Sequence, residues 1–179
     1  MNVYFMAVEK FDSSFGVKWE KFVNWATLFN LVEVVTLDCA LCPSLFSDLV
    51  YEDWAFIEPN VVFHDMFNNI DWVLKRTNHI TDRLILAVYH QPTEDCKLYF
   101  KDDRFRFCGY DLLDDDTRIS ALVNCGGFNK AFSSEDLTSS GLIADFQTAK
   151  EVQKSLKFHY PDEPHAYCSI WAMWKMVKF

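Results

Sequence analysis

Apolar residues in this chain come in short runs separated by polar segments, and that distribution limits what it can fold into. The longest windows without a charged residue, such as "FVNWATLFNLV" and "ISALVNCGGFN", are about a dozen residues long, whereas a membrane-spanning helix needs about 18. Half of the 179 residues are hydrophobic and 17% are aromatic, which is enough to bury one substantial core. We therefore predict a soluble protein with a single globular domain over residues 1–179 and no membrane contact.

The net charge narrows the class of partner. The chain has 17 Lys and Arg against 26 Asp and Glu, which gives a net charge of −9. A nucleic-acid surface needs a basic stripe to neutralise phosphates, so nucleic-acid binding is not predicted. A basic protein is the partner that an acidic chain favours.

No cofactor is predicted either, because the sequence contains no phosphate-binding Gly-rich loop and no dinucleotide motif.

The first residues and the cysteines together indicate a reducing compartment. The segment "MNVYFMAVEK" lacks the basic residues and the small-residue cleavage pattern of a secretory signal. Six cysteines in such a chain are expected to be reduced thiols rather than a disulfide framework. These features predict a cytoplasmic protein.

Hydrophobic periodicity predicts an α+β fold, with a mixed or largely antiparallel sheet packed by about three to four helices. Apolar residues at three- and four-residue steps predict helices over 17–31, 64–76 and 144–158. Pro43 is placed to open a further short helix, and Asp65 is expected at the positive end of the second one. Strands are predicted at the N-terminus and in the runs "LVEVVTLD" and "RLILAVYH".

Two β-hairpins are predicted in the middle of the chain. The first turns at "KDD", and the second turns at the aspartates of "LLDDD". In both, apolar residues alternate with polar ones along the flanking segments. The residues expected on the strands are Leu98, Phe100, Phe105 and Phe107 in the first hairpin and Ile119, Ala121 and Val123 in the second.

The C-terminal segment "HAYCSIWAMWKMVKF" fits two structures. Ile170, Trp171, Trp174 and Val177 have the spacing of a helix that begins after Pro164. The aromatic content of the segment also suits a strand. We predict a helix here, with a strand as the alternative.

The stretch "VVTLDCALCP" comes closest to a catalytic signature. Cys39 and Cys42 form a Cys-x-x-Cys pair between a β-like run and Pro43, where a following helix N-terminus would stabilise a thiolate. The segment resembles the active-site turn of the thioredoxin family, which implies disulfide exchange by the two thiols. It departs from that family at Asp38, whose carboxylate replaces an aromatic residue and opposes a thiolate. Two buried or incidental thiols are the favoured interpretation.

Cys125 is the second thiol candidate, because it follows a predicted strand and precedes Gly126 and Gly127 in "NCGGF". Paired glycines let backbone amides converge on an oxyanion, so Cys125 could serve as a nucleophile. The other participants would be His159 or His165 as the base and Asp162 or Glu163 as the carboxylate that orients it. A tight glycine turn after a strand is the simpler interpretation and is favoured.

A metal site is not predicted. A structural zinc site usually shows two closely spaced Cys/His pairs, and the sequence contains only one such pair. The aspartates of "YDLLDDD" lack the alternate spacing, central glycine and terminal glutamate of a helix-loop-helix calcium site.

These observations favour a non-catalytic interaction protein, of the immunity or inhibitor type, over an enzyme. The predicted partner surface combines clustered carboxylates, which steer a basic protein, with aromatic anchors. Its residues are Tyr110, Asp111, Asp114, Asp115, Asp116, Phe132, Glu135 and Asp136. The alternative is a thiol enzyme, using Cys39 with Cys42 for redox chemistry or Cys125 with a histidine for acyl transfer.

Overall fold

The computed structural model describes residues 2–46, 65–114, 116–123 and 127–178, and these residues form an α+β fold with three α-helices. The predicted fold class is confirmed. The helices are α1 (Val17–Ala26), α2 (Ile70–Arg76) and α3 (Phe146–His159). The strands are β1 (Tyr4–Glu9), β2 (Phe11–Asp12), β3 (Glu33–Val34), β4 (Arg83–His90), β5 (Phe105–Leu113) and β6 (Ser169–Met176).

The main sheet has four strands in the order β1-β4-β6-β5, and every pairing in it is antiparallel. A second sheet pairs β2 with β3. The predicted strand "RLILAVYH" is confirmed as β4, whose residues from Leu84 to Val88 are all buried. β4 lies between β1 and β6, so both of its edges are hydrogen-bonded, and the burial of consecutive residues shows that both of its faces are covered.

The C-terminal segment is the strand β6, so the predicted helix there is wrong. Seven of the eight residues of β6 are buried, including Trp171 and Trp174. β6 hydrogen-bonds to β4 on one edge and to β5 on the other. A helix would bury only one stripe, whereas a central strand buries both faces of this aromatic run.

The first predicted hairpin is also wrong. Residues 97–99 form a turn, and β5 pairs with β6 instead, with Phe105 opposite Met176. The ring of Phe100 packs against those of Phe105 and Trp174, with centroids 5.3 and 5.5 Å apart. The apolar pattern around "KDD" therefore reflects ring packing on the sheet rather than cross-strand pairing.

The second predicted hairpin is confirmed only in part. β5 continues to Leu113, and the chain then turns and pairs with it through a single bridge between Leu113 and Ser120. Ala121 N donates to Leu112 O at 2.8 Å. Residues 121–123 leave this pairing as bends, and Asp115 lies outside the described residues.

The three helices differ from their predicted bounds mainly at their ends. α1 stops at Ala26 because Thr27 takes a left-handed conformation, with φ of 55°. α2 begins six residues later than predicted, at Ile70, where the side chain of Asn69 accepts from Trp72 N. α3 begins after its N-cap Asp145, close to the predicted start. No helix in the described part of the chain has the length and apolar character needed to cross a bilayer.

Two other predicted elements are shorter or differently placed. Of the run "LVEVVTLD", only Glu33–Val34 forms a strand. The residues after Pro43 form a bridge at Ser44 and a turn as far as residue 46, and the remainder of that predicted helix lies outside the described residues. Asp65 is buried and pairs with Arg118 instead of lying at the start of α2.

β5 lies at one edge of the main sheet, and its middle is covered by the segment around Ile143. Tyr110 N donates to Ile143 O at 2.8 Å, and Ile143 N donates to Tyr110 O at 3.0 Å. The approach is this close because Gly109, at a bulge in β5, has φ of 141° and no side chain. A Cβ on Gly109 would lie 2.6 Å from Ile143 O.

We expect Gly109→Ala to lower the free energy of unfolding by about 3 kcal/mol, because it adds a backbone clash to the strain of a positive φ. Gly16→Ala is the control, since Gly16 also has a positive φ but its added Cβ would meet no atom within 4 Å. That variant should lose only about 1 kcal/mol. Urea unfolding of both variants measures the difference, and equal losses would show that the contact with Ile143 is not restrictive.

Candidate functional site

Buried polar side chains converge where β5 ends. We define the aspartate cluster as Thr36, Asp38, Asp111 and Ser120. Thr36 Oγ1 donates to Asp111 Oδ2 at 2.6 Å, and Ser120 Oγ donates to Asp111 Oδ1 at 2.5 Å. Ser120 N donates to Asp38 Oδ2 at 2.9 Å, and Asp38 N donates to Thr36 Oγ1 at 3.1 Å. The cluster therefore joins the segment after β3, the end of β5 and the turn that follows β5.

Burial makes Asp111 a weaker acid than an ordinary aspartate. Asp111 is fully buried, and this raises its pKa from 3.8 to about 6. The hydrogen bonds from Ser120 and Thr36 oppose the rise, as does the one from Leu112 N, while the nearby Asp38 carboxylate adds to it. Asp38 accepts further from Ala40 N at 2.8 Å. Asp111 thus holds its proton to higher pH than an exposed aspartate does.

A third acidic residue, Asp114, lies just beyond the cluster in the turn after β5. Its carboxylate accepts from both the backbone N and the hydroxyl of Thr117, at 2.6 and 2.7 Å. Burial alone would raise the pKa of Asp114, but these hydrogen bonds hold it below the usual value. The electrostatic interaction with His165 also lowers the pKa of Asp114. Burial lowers the pKa of the His165 imidazole itself.

The cluster can hold the loops together and store a proton, but it is closed to a substrate. Thr36, Asp111 and Ser120 are each 0% exposed, and Asp38 is 3% exposed. A carboxylate with a raised pKa in a cleft would be a candidate general acid. The raised pKa of Asp111 results from its burial away from any substrate, so we expect it to affect the stability of the fold.

We expect Asp111→Asn to remove a specific pH dependence of stability. Because the folded pKa of Asp111 lies above its usual value, ionisation of this group destabilises the folded state at neutral pH. That destabilisation is relieved as the pH falls from about 7 to about 4, which should raise the free energy of unfolding by about 2 to 3 kcal/mol. Chemical unfolding at several pH values should show this rise in the parent chain and not in the variant.

Asp114→Asn is the contrasting control for that experiment. The pKa of Asp114 is lowered, so its stabilisation is present at neutral pH and is lost only as the pH falls below the usual value of 3.8. This variant should therefore keep the rise in stability between about pH 7 and pH 5. A parent chain and an Asp111→Asn variant with parallel pH profiles would contradict the assignment to Asp111.

The two thiols of the Cys-x-x-Cys pair lie in different environments. Cys39 is exposed and Cys42 is buried. The Asp38 carboxylate accepts from Ala40 N and Leu41 N, the amides that begin the turn, so it occupies the position where a thiolate would be stabilised. Burial raises the pKa of Cys42 strongly, with Asp38 adding to the effect. This arrangement favours thiols that do not act as a redox pair.

The other proposed thiol site is only partly described. Cys125 and Gly126 lie outside the described residues, and Gly127 is exposed in a turn. His159 is exposed at the end of α3, whereas His165 is buried with its ring 4.9 Å from that of Phe128. The candidate orienting carboxylates Asp162 and Glu163 are both exposed. Within the described residues, no group of three or more His, Cys, Asp or Glu side chains could hold a metal ion.

Native thiol labelling should distinguish Cys39 from Cys42. We expect N-ethylmaleimide to modify Cys39 readily and Cys42 at least about a hundredfold more slowly, because Cys42 is buried and its thiolate is disfavoured. Mass spectrometry of digested protein identifies the labelled positions, and labelling in urea is the control in which both should react alike. Comparable native rates, or a Cys39 rate above that of a free cysteine peptide, would favour the redox interpretation.

The predicted partner surface is corrected at Tyr110, Asp111 and Asp114, which are buried. The edge of β5 is covered on this side, and the Tyr110 hydroxyl donates to Asp95 Oδ1 at 2.8 Å instead of facing solvent. The other members are distributed differently. Asp116, Glu135 and Asp136 are exposed, Phe132 is half-buried, and Asp115 lies outside the described residues.

Glu135 and Asp136 lie in sequence between residues that line a cleft, which the sequence did not indicate. Residues 28–31 line this cleft on one side, and Ser134, Leu137 and Thr138 line it on the other. Phe29 is 70% exposed and Val32 is 67% exposed. We define the cleft surface as Phe29, Val32, Phe132, Glu135 and Asp136. The helix predicted over residues 17–31 included Phe29 among its packed apolar residues. No clear sequence signal marks the left-handed Thr27, at which α1 ends before reaching Phe29.

The chain matches no protein-family model, no curated protein and no solved structure. The candidate function is therefore inferred from the residues of the cleft surface and from the charge of the chain.

Proposed function

We propose that this chain is a non-catalytic interaction protein, of the immunity or inhibitor type, that binds a basic protein through the cleft surface. The observation that carries this proposal is that exposed apolar side chains and exposed carboxylates both occur on the two segments that line one cleft. Phe29 and Val32 supply the apolar part, and Glu135 and Asp136 supply the charge. Apolar anchors beside charged groups are typical of protein-binding surfaces.

Backbone hydrogen bonds hold the two sides of the cleft together. Val32 N donates to Ser139 O at 2.8 Å, and Val35 N donates to Ser140 O at 3.1 Å. A surface that is already ordered loses little conformational entropy when a partner binds. This preorganisation supports binding by the surface as it stands.

The acidic side of the cleft is also locally ordered. Ser133 N donates to Asp136 Oδ2 at 2.7 Å, and the Ser133 hydroxyl accepts from Glu135 N. This capping arrangement fixes the short 3-10 helix Ser134–Asp136, on which both carboxylates are exposed. Together with the net charge of −9, these carboxylates would steer a basic partner toward the apolar anchors.

The proposed setting is the cytoplasm. The five cysteines among the described residues are all free thiols, including the exposed Cys39. Free thiols are typical of a reducing compartment.

Selection from a phage-displayed library of random peptides tests the proposed function without a known partner. We expect the selected peptides to carry net positive charge together with an aromatic or aliphatic residue. Their binding should weaken as ionic strength rises, because surface charge pairs are screened by salt. Phe29→Ser and Glu135→Lys should each reduce affinity about tenfold, because they remove the anchor and reverse the charge.

Leu98→Ser is the matched control, because Leu98 is 76% exposed and lies on a different loop. This variant should bind the selected peptides as the parent chain does. Selected peptides without excess positive charge, or equal loss of binding in Phe29→Ser and Leu98→Ser, would contradict the proposal.

A further inference from the structure

The exposed side of α3 carries a basic face in an otherwise acidic chain. Lys150, Lys154 and Phe158 follow one another at four-residue steps, so they lie along one row of the helix surface. Lys157 is three residues from Lys154 and lies beside the same row. Lys154, Lys157 and Phe158 are exposed, and Lys150 is partly so. We define the basic face as these four residues together with Tyr167.

The lysines of the basic face are not neutralised by neighbouring carboxylates. In the described parts of the chain, none of the three forms an ion pair. The one acidic residue on this side of the helix, Glu151, accepts from Gln147 Nε2 at 2.8 Å. Lys157 Nζ lies 5.7 Å from the ring centroid of Tyr167, which leaves its positive charge in place.

Large apolar side chains adjoin these charges. Phe158 is 79% exposed and Tyr167 is 68% exposed, so both rings remain available to a partner. A helix turn that served only for solubility would carry polar residues at these positions. The combination fits a ligand that presents negative charge and an apolar group together.

We propose that the basic face binds an acidic peptide segment of a partner protein, with an apolar side chain of that segment seated on Phe158 and Tyr167. The row from Lys150 to Phe158 spans about 12 Å along the helix axis. About four residues of an extended peptide cover that distance. This surface is distinct in residues and opposite in charge to the cleft surface, so it does not depend on the proposed function.

Charge favours a peptide over a nucleic acid as the occupant. The chain carries a net charge of −9, which repels a long polyanion beyond the few basic residues of this face. Tight binding of nucleic acid usually needs many phosphate contacts. A short acidic segment can instead be neutralised by the three lysines alone.

Fluorescence anisotropy with a labelled acidic peptide, rich in Glu and Asp and containing one Trp, tests the proposal on the full chain. We expect saturable binding that weakens at least about tenfold in the double variant K154E/K157E. Phe158→Ser should weaken it about fivefold, and a peptide with Ser in place of Trp should bind the parent chain about fivefold more weakly.

The double variant K18E/K21E is the matched control. Lys18 and Lys21 are exposed on α1 at the same three-residue spacing, so the two double variants change the net charge equally. K18E/K21E should keep peptide binding, and circular dichroism should show that both variants are folded. Equal loss in both, absence of saturable binding, or binding of oligothymidylate as tight as that of the peptide would overturn the proposal.

Discussion

The structure depends on β6 as the inner strand that joins β4 to β5. Both of its edges are hydrogen-bonded, and its two tryptophans are almost completely enclosed. The partners of β6 lie far away in sequence, with Trp171 opposite His90 on one side and Asp111 on the other. Such long-range pairing is costly in chain entropy, and burial of the apolar side chains on both faces of β6 offsets that cost.

The aspartate cluster is a consequence of this enclosure. β5 pairs with β6 as far as Leu113, and Asp111 lies within this paired region, opposite Trp171. A carboxylate in that position needs donors, and Thr36 and Ser120 supply them from two separate loops. The same hydrogen bonds fix those loops to the sheet. Asp111 has the raised pKa that is typical of catalytic carboxylates, but its hydrogen bonds connect three segments of the chain.

The surface is divided by charge. The cleft surface presents carboxylates beside Phe29, and the basic face of α3 presents lysines beside Phe158. Both arise where a secondary-structure element leaves an apolar residue unpacked: Phe29 follows the left-handed end of α1, and Phe158 lies in the last turn of α3. Two such surfaces of opposite sign would let one chain contact two partners of different chemistry.

Local pattern by itself determined the fold class, β4 and the extent of α3, because these elements carry strong periodicity or an N-cap such as Asp145 within a few residues. It also identified Glu135 and Asp136 as exposed acidic residues. Only the tertiary structure decided that Trp171 and Trp174 lie on a strand, since an aromatic run fits a helix or a strand until its neighbours are known. Tertiary structure likewise buried Tyr110 and Asp111, because the cover over β5 comes from Ile143 and Ser120, and no local pattern specifies which distant segment will cover an edge.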